Sequence, residues 1–136
     1  GFLGNTTFYG NYTYTNSSTD GVEGREDVPL VGATENMFNA SLAYETKNFF
    51  LRASLNYQGE NLDEVGGNSF EDRWYDAQTF VDLNATYSIN NRVRLFAEAK
   101  NLTNQPLRYY QGLADRTMQL EYYDINWNFG IKIDIR

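Results

Sequence analysis

The sequence predicts an all-β fold: six long antiparallel strands in a meander, forming part of a transmembrane β-barrel. Three observations predict it. Apolar and polar residues alternate with a period of two along six stretches of the chain. Each stretch is about 10 residues, the length that crosses a bilayer when tilted, whereas soluble strands average about 5–6. The connections between the stretches alternate between long and short.

Four stretches alternate cleanly. In 79–88, Thr79, Val81, Leu83, Ala85 and Tyr87 share one face, and Phe80, Asp82, Asn84, Thr86 and Ser88 the other. In 49–58, Phe49, Leu51, Ala53, Leu55 and Tyr57 oppose Phe50, Arg52, Ser54, Asn56 and Gln58. In 92–100, Val93, Leu95, Ala97 and Ala99 oppose Arg92, Arg94, Phe96, Glu98 and Lys100. The last stretch sets Trp127, Phe129, Ile131, Ile133 and Ile135 against Asn126, Asn128, Gly130, Lys132, Asp134 and Arg136. Two stretches are less regular: 5–15, with Phe8, Tyr12 and Tyr14 on one face, and 36–45, with Phe38, Ala40, Leu42 and Tyr44.

Residues 16–35, 59–77 and 103–118 read as long polar loops, and 45–48 and 89–91 as tight turns. Bacterial outer-membrane barrels place extended loops outside and short turns on the periplasmic side. On that rule strands one, three and five run outward and the C-terminus lies in the periplasm. Tyr44, Phe49 and Tyr87 beside the short turns, and Tyr14 and Tyr57 beside the long loops, fit interfacial aromatic girdles.

Composition excludes several function classes. The 136 residues carry 11 basic and 18 acidic side chains, a net charge of −7, which disfavours nucleic acid. The absence of Cys and His removes disulfides, thiolate or imidazole metal sites and His-based triads. No cofactor and no metal is expected. Hydrophobic residues make up 41 %, and no apolar run reaches the about 18–20 residues of a spanning helix. The chain opens strand-like at Gly1-Phe2-Leu3-Gly4 without a leader. An exported protein needs one, so a missing N-terminal part is expected.

The segment Arg92 to Tyr110 adds a sharper signal. Asn101-Leu102-Thr103-Asn104, followed by Pro106, resembles the segment that closes the penultimate strand of TonB-dependent receptors. Asn and Thr are suited to capping a strand end, and Pro stops pairing. The final strand resembles the barrel-assembly signal of such proteins at Asn128, Gly130, Ile133 and Ile135, with isoleucines where the family carries aromatics and Arg136 after them. Trp74-Tyr75-Asp76-Ala77-Gln78 resembles the entry to a late barrel strand.

The resemblance implies the C-terminal portion of a barrel of about 22 strands, its plug domain and N-terminal strands absent from 1–136. It implies active transport of a nutrient such as a ferric siderophore, cobalamin, haem or an oligosaccharide across the bacterial cell outer membrane, with no catalysis. The implied partners are outer-membrane lipid, the receptor's own plug, TonB, the barrel-assembly machinery and a small-molecule or metal-chelate ligand. Arg73, Trp74, Tyr75, Arg108, Tyr109, Tyr110 and Arg116, in or beside the outer loops, are candidate ligand contacts, because aromatics stack and Arg gives bidentate hydrogen bonds. Trp74 and Tyr75 read equally well as girdle residues. Arg52, Asp82, Arg94, Glu98 and Lys100 fall on the polar face, toward the lumen and plug, with a cross-strand ion pair expected between Asp82 and Arg94 or a near neighbour.

Other signals are bland. Six Asn-x-Ser/Thr sequons occur, at Asn5, Asn11, Asn16, Asn39, Asn84 and Asn101, and most fall within strands, where a polar lumen face produces them by composition. The acids Glu60, Asp63, Glu64, Glu71 and Asp72 read as a solvated loop rather than a calcium site. Another outer-membrane barrel, porin-like or adhesin, and a soluble all-β binding module remain as alternatives.

Overall fold

In a computed structural model, which describes residues 2–135, the six expected strands form one antiparallel sheet. They are β1 (Thr6–Tyr14), β2 (Asn36–Glu45), β3 (Phe49–Gln58), β6 (Gln78–Ser88), β7 (Val93–Lys100) and β10 (Asn126–Ile133), paired in that order as a meander. Gly1 and Arg136 lie outside the described residues. The segment expected to be strand-like from the start is a 3₁₀ turn over Phe2–Asn5, and the strand begins at Thr6.

The register brings every alternating face into line. Leu42 sits opposite Ala53, Ala53 opposite Leu83, Leu83 opposite Ala99 and Ala99 opposite Trp127. The next rung runs Tyr44, Leu51, Ala85, Ala97 and Phe129. One face is thus continuously apolar and largely exposed, with Phe8, Phe129 and Ile131 each at least 64 % accessible. A contiguous apolar face of this extent is covered by hydrocarbon in a membrane protein. The other face is polar, with the rungs Asn11–Asn39–Asn56 and Arg52–Asn84–Glu98–Asn128.

The two tight turns set register where they occur. Thr46 N donates to Phe49 O at 2.7 Å and Phe49 N donates back to Thr46 Oγ1 at 3.1 Å. Asn90 Oδ1 accepts from Arg92 N at 2.8 Å and Val93 N at 3.0 Å, an Asx turn. The second turn also overturns an expectation. It places Ser88 opposite Arg94, six residues along β6 from Asp82, so the Asp82–Arg94 ion pair does not form. Asp82 accepts instead from the Asn101 backbone N at 2.9 Å, and Arg94 reaches Asp134 at 3.5 Å.

The long connections at 59–77 and 103–118 are not irregular loops, as the sequence implied. They contain β4 (Asn61–Glu64), β5 (Arg73–Tyr75), β8 (Leu107–Gln111) and the start of β9 (Thr117–Glu121), which runs past 118; together these form a second sheet in the order β4-β5-β8-β9. That order repeats β3-β6-β7-β10, so four wall strands continue into a head after a break in each. At the break between β7 and β8 side chains take over much of the ladder. Gln105 Oε1 accepts from Thr79 N at 2.9 Å, and Thr103 Oγ1 donates to Thr79 O at 2.6 Å. Asn101, at φ 59°, accepts from Gln105 N at 2.8 Å and donates to Asp124 O at 3.2 Å. Asn tolerates that left-handed backbone better than most residues.

The packed core lies in the head. Leu62 and Val28 are almost fully buried and Tyr110 is 5 % accessible, whereas among the described wall residues only Ala99 joins the buried apolar set.

Arginine placed at Leu83, mid-strand on the apolar face, is expected to destabilise the folded protein by about 2–4 kcal/mol. Arginine at Asn84, on the polar face, is expected to cost well under half of that. Equilibrium denaturant unfolding of the full-length protein in lipid vesicles compares the two, and equal costs overturn the assignment of faces.

Candidate functional site

Strands β5 and β8 are neighbours, with Arg73 opposite Gln111, Trp74 opposite Tyr110 and Tyr75 opposite Tyr109. Six of the seven candidate ligand contacts therefore lie on two adjacent strands. Alternation divides them between two faces of the head.

On one face Trp74 stacks on Tyr110, centroids 6.4 Å apart and planes 9° off parallel, beside buried Leu62. The Tyr110 hydroxyl donates to Glu60, 50 residues away in sequence. Burial, and then the Glu60 hydrogen bond and charge, push the Tyr110 phenol above its ordinary pKa. The Arg108 guanidinium lies 5.5 Å over the same ring, reaches Asp76 at 2.6 Å, and donates to Thr117 Oγ1 at 2.9 Å and to the Ala114 carbonyl.

On the other face Tyr75 and Tyr109 meet at 4.9 Å, with Arg73 5.6 Å over the Tyr109 ring. Arg73 pairs with Asp63 at 2.5 Å and Glu64 at 3.3 Å, yet its side chain remains 41 % accessible. Arg73, Leu107, Tyr109, Met118 and Gln119 line an open cleft of about 310 Å³. Arg116, the seventh candidate, ties the tip of the β8–β9 hairpin to the preceding long connection, donating to Phe70 O at 2.9 Å and Gln111 Oε1 at 3.3 Å. Gly112 in that tip has φ +68°, and a Cβ there would lie 2.6 Å from the Phe70 backbone.

Sequence reasoning missed the contact that fastens residues 16–35 to this head. Arg25 forms a two-pronged ion pair with Asp72, whose side chain is 6 % accessible, and Asp72 Oδ1 also accepts from Gly66 N at 2.8 Å. The available signal was Arg25 itself, the sole base in a run of acids. Gly32 N donates to Leu62 O at 2.8 Å and Gln58 Nε2 to Thr34 Oγ1 at 2.9 Å, seating the same connection. The acids at 60–73 are engaged by Tyr110, Arg73, Gly67 N and Arg25, and among the described residues no group of three or more could hold a metal ion.

Arg52, Asp82, Arg94, Glu98 and Lys100 all stand on the polar face of the wall. Lys100 lies 3.8 Å from Glu98, and Arg52 packs 5.4 Å from the Phe50 ring. On β10, Asn128 and Gly130 face the same side, Ile133 faces the apolar side, and Ile135 follows the strand, 92 % accessible.

Bilayer-length strands, apolar on one face, polar on the other and continued at one end into a structured head, define a segment of a bacterial outer-membrane β-barrel. Residues 2–102 match the family model described as TonB dependent receptor-like, beta-barrel, and the chain belongs to that family. It is a family of transport receptors rather than enzymes. The chain is 32 % identical over 102 residues to the iron-regulated outer membrane virulence protein of Vibrio cholerae serotype O1, in both a classical Ogawa strain and an El Tor Inaba strain. The matched stretch covers 73 % of this chain and 15 % of each relative. No solved structure matches the chain.

Arg25, first by its hydrogen bond, holds the Asp72 carboxyl below its ordinary range. A depressed carboxylate pKa contributes stability that is present above the unfolded value, near 4, and is lost as pH falls from there through the folded value. Amides at Val28 and Gly32 are expected to lose protection in that acid window. Asp72→Asn is expected to weaken the loop contact by about 2 kcal/mol, roughly a thirtyfold faster exchange at neutral pH. Amide exchange on the detergent-solubilised receptor measures both, and unchanged exchange in Asp72→Asn overturns the assignment.

Proposed function

We propose that this chain supplies wall and outer loops to an active-transport receptor. The receptor takes up a scarce nutrient, a ferric siderophore before an oligosaccharide or cobalamin, with energy delivered by TonB to a plug domain inside the barrel. On this reading residues 1–136 are the C-terminal portion of the barrel, and the head projects from the cell. The observation that carries the proposal is the pairing of family membership with a head that presents aromatics and an accessible arginine over an open cleft. The iron preference is supported by the name of the Vibrio cholerae relatives, which calls them iron-regulated.

The ligand contacts are assigned within the head by what is free to act. Trp74, Tyr110, Arg108 and Arg116 hold the head together and shape its surface. Arg73 and Tyr109, at the cleft with Tyr75 behind them, are the residues that meet the ligand. Arg73 acts by exchanging part of its pairing with Asp63 and Glu64 for the ligand, and Tyr109 by stacking. Arg52, Asp82, Arg94, Glu98 and Lys100 line the lumen against the plug, and the segment from Asn128 to Ile135 serves barrel assembly.

Deleting the gene for the full-length receptor is expected to abolish uptake of one radiolabelled ferric siderophore from iron-poor medium, and deleting TonB to have the same effect. Tyr109→Ala is expected to weaken binding of that chelate about tenfold, some 1.4 kcal/mol, with the receptor still assembled. Uptake that survives loss of TonB, or a full-length protein without a plug domain, overturns the receptor reading. An unchanged Kd in Tyr109→Ala overturns the cleft assignment alone.

A further inference from the structure

Phe96 on β7 faces Gly130 on β10, and its ring occupies the space a side chain would fill. A Cβ on Gly130 would lie 2.2 Å, 2.4 Å and 3.0 Å from three carbons of that ring. These two strands need such a fit for a physical reason. They are joined through residues 101–125, which contain the β8–β9 hairpin, rather than by a tight turn, so no local turn sets their register. Alternation penalises a slip of one residue, because every side chain would change face. It does not penalise a slip of two.

A slip of two would keep the apolar face intact. It would place Ile131 against Ala97 and Phe129 against Ala99. On the polar face it would cost no charge pairing, since the observed register sets Arg94 opposite Lys132 and reaches Asp134 diagonally at 3.5 Å, whereas the slipped one sets Arg94 directly opposite Asp134. Charge and hydrophobicity therefore do not select the observed register. The Phe96–Gly130 fit does, because Gly130 is the one residue of β10 without a Cβ, and a slip of two in either direction would drive the ring onto Asn128 or Lys132.

We infer that Phe96 and Gly130 form a register lock that sets how β10 docks on the wall, and hence which backbone groups its free edge offers to the next strand of the barrel. Phe96 is a positioning residue in this sense. The lock is independent of what the receptor transports.

Paired cysteines on the apolar face of the full-length receptor, away from the lock, test it in the assembled membrane protein. Ala97→Cys with Phe129→Cys reports the observed register, and Ala97→Cys with Ile131→Cys the slip of two. With Phe96 present only the first pair is expected to cross-link. In Phe96→Ala the second is expected to rise severalfold above background, and in Gly130→Ala likewise, because the displaced ring loses its seat. Phe96→Tyr, which keeps the ring, is expected to restore the single cross-link. Phe80→Ala, a polar-face phenylalanine opposite Asn56, controls for loss of any aromatic. If Phe96→Ala does not insert, Phe96→Leu decides by the same two pairs. A second cross-link that stays at background in the inserted variant, or rises equally in Phe80→Ala, overturns the inference.

Discussion

Hydrocarbon offers no hydrogen bond to a peptide group, and an unpaired one costs several kcal/mol there, so every amide crossing the membrane must find its partner on a neighbouring strand. The rest of the structure follows from that requirement. It explains why the six wall strands run without interruption for 8 to 11 residues. It also explains where the ladders stop. All four continuing strands break between wall and head, around 59–60, 76–77, 101–106 and 122–125, and there side chains share the pairing with single backbone bonds such as Gly59 N to Asn36 O and Asp76 N to Arg108 O. Gln105 meets Thr79 N, Asp82 meets Asn101 N, and Asn101 meets both Gln105 N and Asp124 O. The Asn-Leu-Thr-Asn segment is the piece of chain that makes this exchange.

The same requirement divides the molecule into two kinds of packing. The wall needs no apolar interior of its own, because lipid covers its apolar side chains. The head stands beyond the lipid and must bury side chains in the ordinary way, which it does with Leu62, Val28 and Tyr110 and with the Arg25–Asp72 pair at the joint between two long connections. Its aromatics consequently have a double character. Trp74 and Tyr110 are held by Leu62, Glu60 and Arg108, so on the proposed reading the surface they support is preorganised for its ligand. Preorganisation of that kind reduces the entropy lost on binding.

Legibility divided along the same line. Alternation is a long-range regularity, and ten-residue strands repeat it often enough to be read, down to the faces of Arg52, Glu98 and Gly130. The head strands are three to five residues long and sit among Gly, Asn and Asp, too short to display a period, so Leu62 between Asn61 and Asp63 reads as loop. Arg73, Trp74 and Tyr75 were recognisable as a group, and so were Arg108, Tyr109 and Tyr110. That the two triplets lie side by side depends on strand pairing across a long connection. The Asp82–Arg94 expectation failed for a related reason. Opposite charges on adjacent strands identify possible partners, but the turn at Asn90 decides which rungs face each other.

Register is thus the quantity that a period-two pattern leaves open, and a barrel must settle it separately at each long connection. Three different devices do so here. Across β1 and β2 the Asn39 carboxamide donates to Asn11 Oδ1 at 3.0 Å and accepts from Asn56, while the Tyr12 hydroxyl reaches Asn36. Across β3 and β6 the continuation into β4 and β5 places Leu62 against Trp74, and its complete burial fixes the pair from above. Across β7 and β10 a ring fills the gap over a glycine. Each device is aperiodic: a specific side chain meets one partner, and that partner recurs at no position two residues away. Alternation can therefore be satisfied by many sequences, while the few residues that break its degeneracy select one wall among its slipped alternatives.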